Sequence, residues 1–251
     1  MPCLLLQHSK LVKTVKFKNP AYIGDPINAV RIYNEKEVDE LIFLDIMATR
    51  EKSLPQLKTI FQIATECFMP LTYGGGVRSL DDVSKILEIG VEKVAINSYA
   101  AEDQIFIKKA ADQFGSQAIV VSIDAKKKSG ELYELVTHGG TRTTGIDPVA
   151  HARKMEELGA GEVLLTSVDR DGTMDGYDLD LIGRVSDAVN VPIIACGGAG
   201  NVEDMAKAVK AGASAVAAGS LVVYQGKSRG VLINFPTQEE LKAVISAGQY
   251  S

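Results

Sequence analysis

Short apolar runs alternate along the chain with longer stretches whose apolar residues recur at helical spacing. The runs predict eight strands, at Cys3–Gln7, Leu41–Ile46, Leu71–Tyr73, Lys93–Ile96, Ala118–Asp124, Val163–Ser167, Ile193–Ala195 and Ala215–Ala218. The stretches between them predict helices that include Ser53–Cys67, Ser79–Ile89, Glu102–Phe114, Pro148–Leu158, Asp178–Ala188 and Val202–Ala211. Because the strands are apolar throughout, both of their faces are expected to be buried, as in a parallel sheet. Eight such units favour a closed (β/α)8 barrel over an open doubly wound sheet.

Two predicted loops are much longer than the roughly two to six residues usual between a strand and a helix. One covers His8–Pro26 after the first strand, and the other covers Lys126–Gly145 after the fifth. Within the second, the segment Glu131–Gly140 is typical of a small β-hairpin. Loops at the C-terminal ends of barrel strands are where this fold places its chemistry.

The stretch Pro70–Ser98 recurs without a gap as Pro192–Ser220, with nine of twenty-nine positions identical. A repeat of this length is an architectural unit rather than an accident of composition. It predicts two similar halves within one domain covering residues 1–251, with half-barrels of about 1–115 and 116–251.

Charge and composition argue against several classes of binding partner. The net charge of −5 and the absence of a basic run argue against nucleic acid and membrane partners. Three scattered cysteines, Cys3, Cys67 and Cys196, indicate free thiols in a reducing compartment. The chain shows no signal-peptide core and no transmembrane-length run, so a cytoplasmic location is expected. The three histidines have no metal-ligand spacing, so neither a metal nor a cofactor is expected.

Each half carries a glycine-rich loop between a strand and a helix, where backbone N–H groups can approach a phosphate closely. The strand that follows each loop ends in polar or small residues that would lie beside it. In the first half these residues are Gly75, Gly76, Asn97 and Ser98, and in the second they are Gly197, Gly198, Gly219 and Ser220. Two such sites on one barrel mouth predict a small-molecule ligand with a phosphate at each end.

Carboxylates at strand ends are the acid–base candidates, because a buried carboxylate is costly unless it is paired or used. They are Asp45, Asp124 and Asp171. The alternative is a structural aspartate that caps a loop, and the polar run Asp169–Thr173, which includes Gly172, can also be read as ordinary turn chemistry.

The segments DELIFLDI, YGGGVRS, VEKVAINS, GSQAIVVSIDAK, GAGEVLLTSVDRDGTMDGYD and ACGGAGN resemble the cyclase subunit of imidazole glycerol phosphate synthase. The likeness covers nearly the whole chain and implies a barrel built from two half-barrel repeats. It also implies a heterodimer with a glutaminase subunit, whose ammonia passes through the barrel core. At the far mouth, the family uses that ammonia to cleave and cyclise a bisphosphorylated aminoimidazole-carboxamide ribonucleotide.

The resemblance implies a role for particular residues. It implies catalytic roles for Asp124 and for Lys13, the lysine of a mobile first loop. It implies phosphate contacts at the glycine-loop positions and at Asp171, and a charged ring for ammonia at Glu40, Lys93 and Glu162. The N-terminus is expected to be too short for the arginine that completes this ring in the family.

One departure from the family bears on the chemistry. The second catalytic aspartate of the family ends strand 1, where this chain has Leu5 in Cys3-Leu4-Leu5, and the internal repeat sets this position opposite Asp124. Leucine cannot transfer a proton. Cys196, in place of a serine, removes a hydroxyl donor from the second loop and is expected to be a buried thiol. His8 is expected to be a solvated loop residue, with substitution for the lost acid as the alternative.

Three functions therefore remain open from the sequence. One is an authentic cyclase of histidine biosynthesis. Another is a diverged paralogue that delivers ammonia to a sugar amidotransferase, for amidination of a nucleotide sugar in surface-glycan biosynthesis. The third is a non-catalytic activator of a glutaminase. A related phosphosugar isomerase fits less well, because it too needs an aspartate on strand 1.

Overall fold

Eight parallel strands, each hydrogen-bonded to the next along the chain, form the centre of the molecule. The computed structural model describes residues 1–226 and 229–249. The strands are β1 (Cys3–Gln7), β2 (Leu41–Asp45), β3 (Leu71–Gly74), β4 (Lys93–Ile96), β5 (Ile119–Lys127), β6 (Glu162–Ser167), β7 (Ile193–Cys196) and β8 (Ala215–Ala217). All eight were predicted from the apolar runs, and β1 and β4 have the predicted bounds.

The sheet closes on itself between β1 and the end of β8. The Cys3 amide donates to the Ala218 carbonyl at 2.8 Å, and the Ala218 amide donates to the Met1 carbonyl at 2.9 Å. Pro2 and Ala218 form a parallel bridge at the same place. The predicted closed barrel is therefore confirmed, and the open sheet is excluded.

Helices surround the barrel and bury their apolar faces against the strands. They are α1 (Pro26–Glu35), α2 (Leu57–Glu66), α3 (Leu80–Glu88), α4 (Ser98–Glu102), α5 (Ile105–Phe114), α6 (Pro148–Glu157), α7 (Leu179–Ser186), α8 (Val202–Lys210), α9 (Ser220–Val223) and α10 (Gln238–Gln249). The helix predicted from Ser53 begins only at Leu57. Pro55 disfavours helical backbone at Leu54, and the Ser53 amide instead closes a turn on the Ala48 carbonyl at 2.9 Å.

A smaller apolar layer fills the inside of the barrel. Its members come from seven strands and are small or branched side chains: Cys3, Ile42, Ala95, Val120, Leu164, Ile194 and Ala217. Layers of this kind are what make such a barrel a packed core rather than an open pore.

Both long loops contain β-hairpins at the C-terminal ends of the strands. After β1, the segments Lys10–Val15 and Lys18–Gly24 form the first hairpin, which was predicted only as a loop. After β5, Tyr133–Thr137 and Arg142–Thr143 form the second hairpin, which extends beyond the predicted segment Glu131–Gly140. The side chain of Phe17 lies against the backbone of Gly140, so the two hairpins meet over the barrel mouth.

The two halves repeat in geometry as well as in sequence. Asn97 and Gly219, which follow β4 and β8, have nearly the same unusual backbone, with φ −109° and ψ −91° in one and φ −109° and ψ −74° in the other. Asp82 and Asp204 are both buried near the start of a helix and accept backbone N–H groups there.

The repeated helix caps lead to a stability prediction. The Ser79 hydroxyl accepts from the Asp82 amide at 3.1 Å, and the Asn201 side chain accepts from the Asp204 amide at 2.9 Å. Ser79→Ala and Asn201→Ala should each lower the free energy of unfolding by about 1 kcal/mol in urea. Ser84→Ala in the middle of α3 is the control, and its effect should stay within about 0.5 kcal/mol. Equal losses in all three variants would refute the capping role.

Candidate active site at the C-terminal mouth of the barrel

A cleft with an empty volume of about 1080 Å³, part of it open to solvent, lies at the C-terminal ends of the strands. We call it the mouth cleft. It brings together nearly all of the residues that the sequence predicted for a site. They are Lys13, Gly75, Asn97, Ser98, Asp124, Asp171, Gly172, Gly197, Gly198, Gly219 and Ser220, while Gly76 lines an adjoining pocket.

Asp124 lies buried near the end of β5 and faces the mouth cleft. Burial raises the pKa of its carboxyl group to about 7, against the opposing effect of a hydrogen bond from Asn97 and with a further increase from the charge of Asp171. The Asn97 amide donates to Asp124 Oδ2 at 3.0 Å and also to the Ser122 carbonyl at 3.0 Å, which fixes its orientation. A carboxyl group with a pKa near neutrality can either donate or accept a proton.

Leu5 lines the same cleft from β1. Its partner in the register is Leu44 on β2, which lines the cleft as well and is followed by Asp45, also part of the lining. Leu5 is only 8 % exposed. The strand-end position that carries a carboxylate on β5 therefore carries hydrocarbon on β1, and Asp124 has no acidic counterpart there.

The first hairpin covers the part of the mouth that belongs to the second half-barrel, where two of its side chains bind Asp171. Lys13 Nζ donates to Asp171 Oδ1 at 2.8 Å, and the Thr14 hydroxyl donates to Oδ2 at 2.9 Å. The lysine points inward and is only 6 % exposed. Gly172 packs directly beneath the Thr14 carbonyl, where a Cβ atom would collide with the hairpin backbone. This contact and its positive φ of 72° both require glycine.

The two glycine loops end β3 and β7, on opposite sides of the barrel. The first glycine loop is Gly74–Gly76, and the second is Cys196–Gly198. Ser220, at the start of α9, also lines the cleft, and its hydroxyl is buried and has no hydrogen-bond partner among the described residues. An unpaired buried hydroxyl is costly, and a phosphate oxygen would satisfy it.

Cys196, at the start of the second glycine loop, contacts Cys3 and is partly exposed rather than buried as expected. Hydrogen bonding with Cys196, together with burial, raises the pKa of the Cys3 thiol well above its usual range. Both cysteines are free, as expected, and so is Cys67.

Cationic side chains gather beside the first glycine loop, and sequence reasoning missed them. A pocket with an empty volume of about 840 Å³ adjoins the mouth cleft there. We call it the cationic pocket, because four basic residues line it: Lys52, Arg78, His138 and Arg142. Only Arg78 had a signal in the sequence, because its counterpart in the repeat is Gly200.

Asp45 and His8 have contacts that point away from acid–base chemistry. Asp45 accepts from the amides of Met47 and Ala48 at 2.9 and 3.1 Å, which fits the loop-capping alternative, and burial raises its pKa. His8 Nε2 lies 2.8 Å from Glu51 Oε1 on the exposed side of the first hairpin and does not line the mouth cleft. Its substitution for a missing acid is not favoured by this position.

The predicted charged ring forms at the opposite end of the barrel. Lys93 Nζ contacts Glu40 at 3.0 Å and Glu162 at 2.8 Å, and all three side chains are largely buried. Burial alone would lower the pKa of Lys93, but the hydrogen bonds from the lysine to Glu162 and Glu40 outweigh it and leave the pKa raised. Glu40 and Glu162 are 122 residues apart and hold equivalent places in the two halves. We call these three residues the entrance ring.

Neither a cluster of metal-binding side chains nor a membrane-spanning helix is found in the described part of the chain. Among these residues, no three His, Cys, Asp or Glu side chains lie close enough together to hold a metal ion. None of the described helices has the length and apolar character needed to cross a membrane.

The shifted pKa of Asp124 predicts a pH-dependent stability. Its folded pKa of about 7 lies above the unfolded value of about 3.9, so the folded state holds an extra proton between these values. Stability should therefore fall as the pH rises from 5 to 7, on the order of a few kcal/mol, and level off above. Asp124→Asn should remove this loss in urea unfolding at pH 5 and 8, whereas the exposed control Asp112→Asn should keep it. Identical pH profiles for wild type and Asp124→Asn would count against the shift.

The chain matches a protein family over most of its length and is similar to several known proteins. Residues 1–229 match the family described as histidine biosynthesis protein. A protein of Pseudomonas aeruginosa is 50 % identical over 242 residues, covering 96 % of both chains. A protein of Leptospira interrogans is 48 % identical over 246 residues, covering 97 % of both chains. A protein of Vibrio vulnificus is 44 % identical over 250 residues, covering 98 % of this chain and 95 % of the other. All three are named "Putative imidazole glycerol phosphate synthase subunit", as hisF2, HisF and hisF3 respectively. The chain thus belongs to the histidine biosynthesis protein family, as a HisF-like subunit.

Proposed function

We propose that this barrel receives ammonia from a glutaminase subunit at the entrance ring and delivers it to the mouth cleft, with little cyclase activity of its own. The observation that carries the proposal is the asymmetry of the mouth, where Asp124 faces a strand end occupied by Leu5. The rest of the site keeps the features of a binding cleft.

The entrance ring and the barrel interior support the ammonia route. Charges at the N-terminal face of such a barrel usually serve stability alone. Here three of them are in contact, with Lys93 bridging Glu40 and Glu162. Above them lies the apolar layer of small and branched side chains. Ammonia is neutral and small, so it crosses apolar packing at a much lower cost than an ion does.

The mouth supports binding more strongly than catalysis. The Ser220 hydroxyl and the two glycine loops suit a bisphosphorylated ligand. Cleaving one bond and closing a ring needs a proton donor and an acceptor, and a positioned acid or base contributes roughly 10²–10⁴ in rate. Asp124 can fill one role, and the hydrocarbon of Leu5 can fill neither.

We also propose an acceptor for the ammonia. The favoured acceptor is a nucleotide sugar that a sugar amidotransferase converts to an amidine, in surface-glycan biosynthesis. The second candidate is an authentic cyclase of histidine biosynthesis, favoured by the inward Lys13 and by Asp124 with its pKa near neutrality. A non-catalytic activator of a glutaminase remains as a third and needs only the entrance face.

The docking of a glutaminase can be tested on two exposed side chains. Phe68, 85 % exposed, lies between α2 and β3 on the same face as the entrance ring, and Leu132, 63 % exposed, lies at the other mouth. Wild-type barrel should raise glutamine hydrolysis by its glutaminase. Phe68→Asp should weaken the complex at least about tenfold, because burying a charge at an interface costs more than about 1.4 kcal/mol, and Leu132→Asp should not. No complex by gel filtration and no rise in hydrolysis would refute the partnership.

The lost carboxylate leads to a prediction on catalysis. Ammonia-dependent turnover of the bisphosphorylated ribonucleotide by wild type should lie at least about a hundredfold below that of a true cyclase. Leu5→Asp should recover part of the activity, while Leu5→Asn, which has a similar size but cannot act as a base, should not. Substrate affinity should change little, because the phosphate donors do not involve Leu5. Wild-type turnover at a full cyclase rate would overturn the ammonia-delivery reading.

A further inference from the structure

We propose that the cationic pocket beside the first glycine loop binds a diphosphate group, so that the ligand of this barrel carries more negative charge at that end than at the other. This inference deepens the proposed function, because it rests on anion binding at the two glycine loops, but it does not depend on ammonia delivery.

The internal repeat provides the comparison on which the inference rests. The two loops have the same backbone plan, and the positions around them correspond at a spacing of 122 residues. Gly75 and Gly197 both have positive φ, at 124° and 93°. The side chains nearby differ in charge even though the backbones agree, so the charge difference is not imposed by the fold.

The second loop faces a neutral pair. Lys13 Nζ reaches Gly219 beside this loop and is bound to Asp171 at 2.8 Å. One positive and one negative charge therefore cancel. Arg170 packs against Gly198 of this loop, and Arg229 lies in the same half, but neither of them lines the mouth cleft. Their guanidinium groups donate to the backbone carbonyls of Asp175 and Thr173.

The first loop faces a net positive charge. Lys52 and Arg78 correspond to Met174 and Gly200 in the other half, and the position of Asp171 is occupied by the uncharged Thr49. Arg142 joins them from the second hairpin. Glu102 is the single acidic residue that lines this pocket, 3.2 Å from Arg142. Three permanent cations against one carboxylate leave about two positive charges, even with His138 neutral.

The donors of the cationic pocket remain available to a ligand. Arg78 uses one nitrogen, Nη2, on the Lys52 carbonyl at 3.1 Å, and Arg142 uses Nη1 on Glu102. Each guanidinium has five N–H groups, so donors are left for phosphate oxygens, which arginine binds in bidentate fashion. The Lys52 ammonium contacts no carboxylate among the described residues. The pocket has an empty volume of about 840 Å³, part of it open to solvent, which leaves room for more than one phosphate group.

The pocket and the mouth cleft form one continuous space. Thr49, Gly75, Asn97 and Ser98 line both. One elongated ligand can therefore place a diphosphate in the cationic pocket, pass Asp124, and place a less charged phosphate or another polar group at Ser220. The specificity for such a ligand would come from Arg78 and Arg142, since both line the cationic pocket, whereas Arg170 and Arg229 of the second half do not line the mouth cleft.

Calorimetric titration of the purified barrel with sodium pyrophosphate and with sodium phosphate, at matched ionic strength, tests the inference. Wild type should bind pyrophosphate at least about tenfold more tightly. Arg78→Gln and Arg142→Gln should each reduce this preference about fivefold, as expected for a partly exposed charged hydrogen bond. Arg153→Gln, on the exposed face of α6, removes the same charge far from the mouth and should leave the preference unchanged.

The outcomes separate this inference from the proposed function. Equal affinity for the two anions, or a preference that survives both arginine substitutions, overturns the diphosphate assignment and leaves two-ended phosphate binding intact. Absence of binding for both anions overturns the diphosphate assignment together with the phosphate-binding part of the proposed function. Ammonia delivery is measured with the glutaminase, so neither result bears on it.

Discussion

Closure of the sheet between β1 and β8 is the constraint on which the rest of the structure depends. The hydrogen bonds that join Cys3 and Met1 to Ala218 bring the first strand of one half against the last strand of the other. Once the ring is closed, equivalent positions of the two repeats face each other across one axis. Both glycine loops, both strand-end donor pairs and the strand ends of β1 and β5 then open onto one mouth. At the other end, the same closure brings Glu40 and Glu162 to a single lysine.

The two half-barrels share one backbone plan, so differences between their side chains at equivalent positions are not imposed by the fold. Near the mouth, β5 carries the buried carboxyl group of Asp124, whereas β1 carries the hydrocarbon side chain of Leu5. At the level of fixed charge, Arg78 and Lys52 stand where the other half has glycine and methionine. The first hairpin inserts Lys13 against Asp171, whereas the second hairpin contributes Arg142, paired with Glu102, to the cationic pocket. These asymmetries concentrate positive charge beside the first glycine loop. In our proposal they also leave the mouth cleft with one proton-transfer group, Asp124, where a cyclase needs two.

Most of the frame could be predicted from the sequence, because burial on both faces gives a strand a continuous apolar run. The gapless repeat placed the two glycine loops opposite each other, and the entrance ring was expected from the resemblance to the cyclase family. The first hairpin was missed, since its outer strand, Lys18–Gly24, is almost wholly exposed and has no apolar pattern. The cationic pocket was missed for another reason. Lys52, Arg78 and Arg142 lie on three loops far apart in the chain, and only the closed barrel brings them together.

The central claim is that ammonia made by a glutaminase reaches the mouth of this barrel but is not consumed there. The most direct measurement follows the amide nitrogen of glutamine in the barrel–glutaminase complex, with the bisphosphorylated ribonucleotide present at saturation. Glutamate, free ammonia and imidazole product are counted in the same sample. Our account predicts ammonia equal to glutamate, with imidazole product at or below about 1 % of it, as expected when one positioned acid–base group is missing. Imidazole product equal to glutamate would contradict the account.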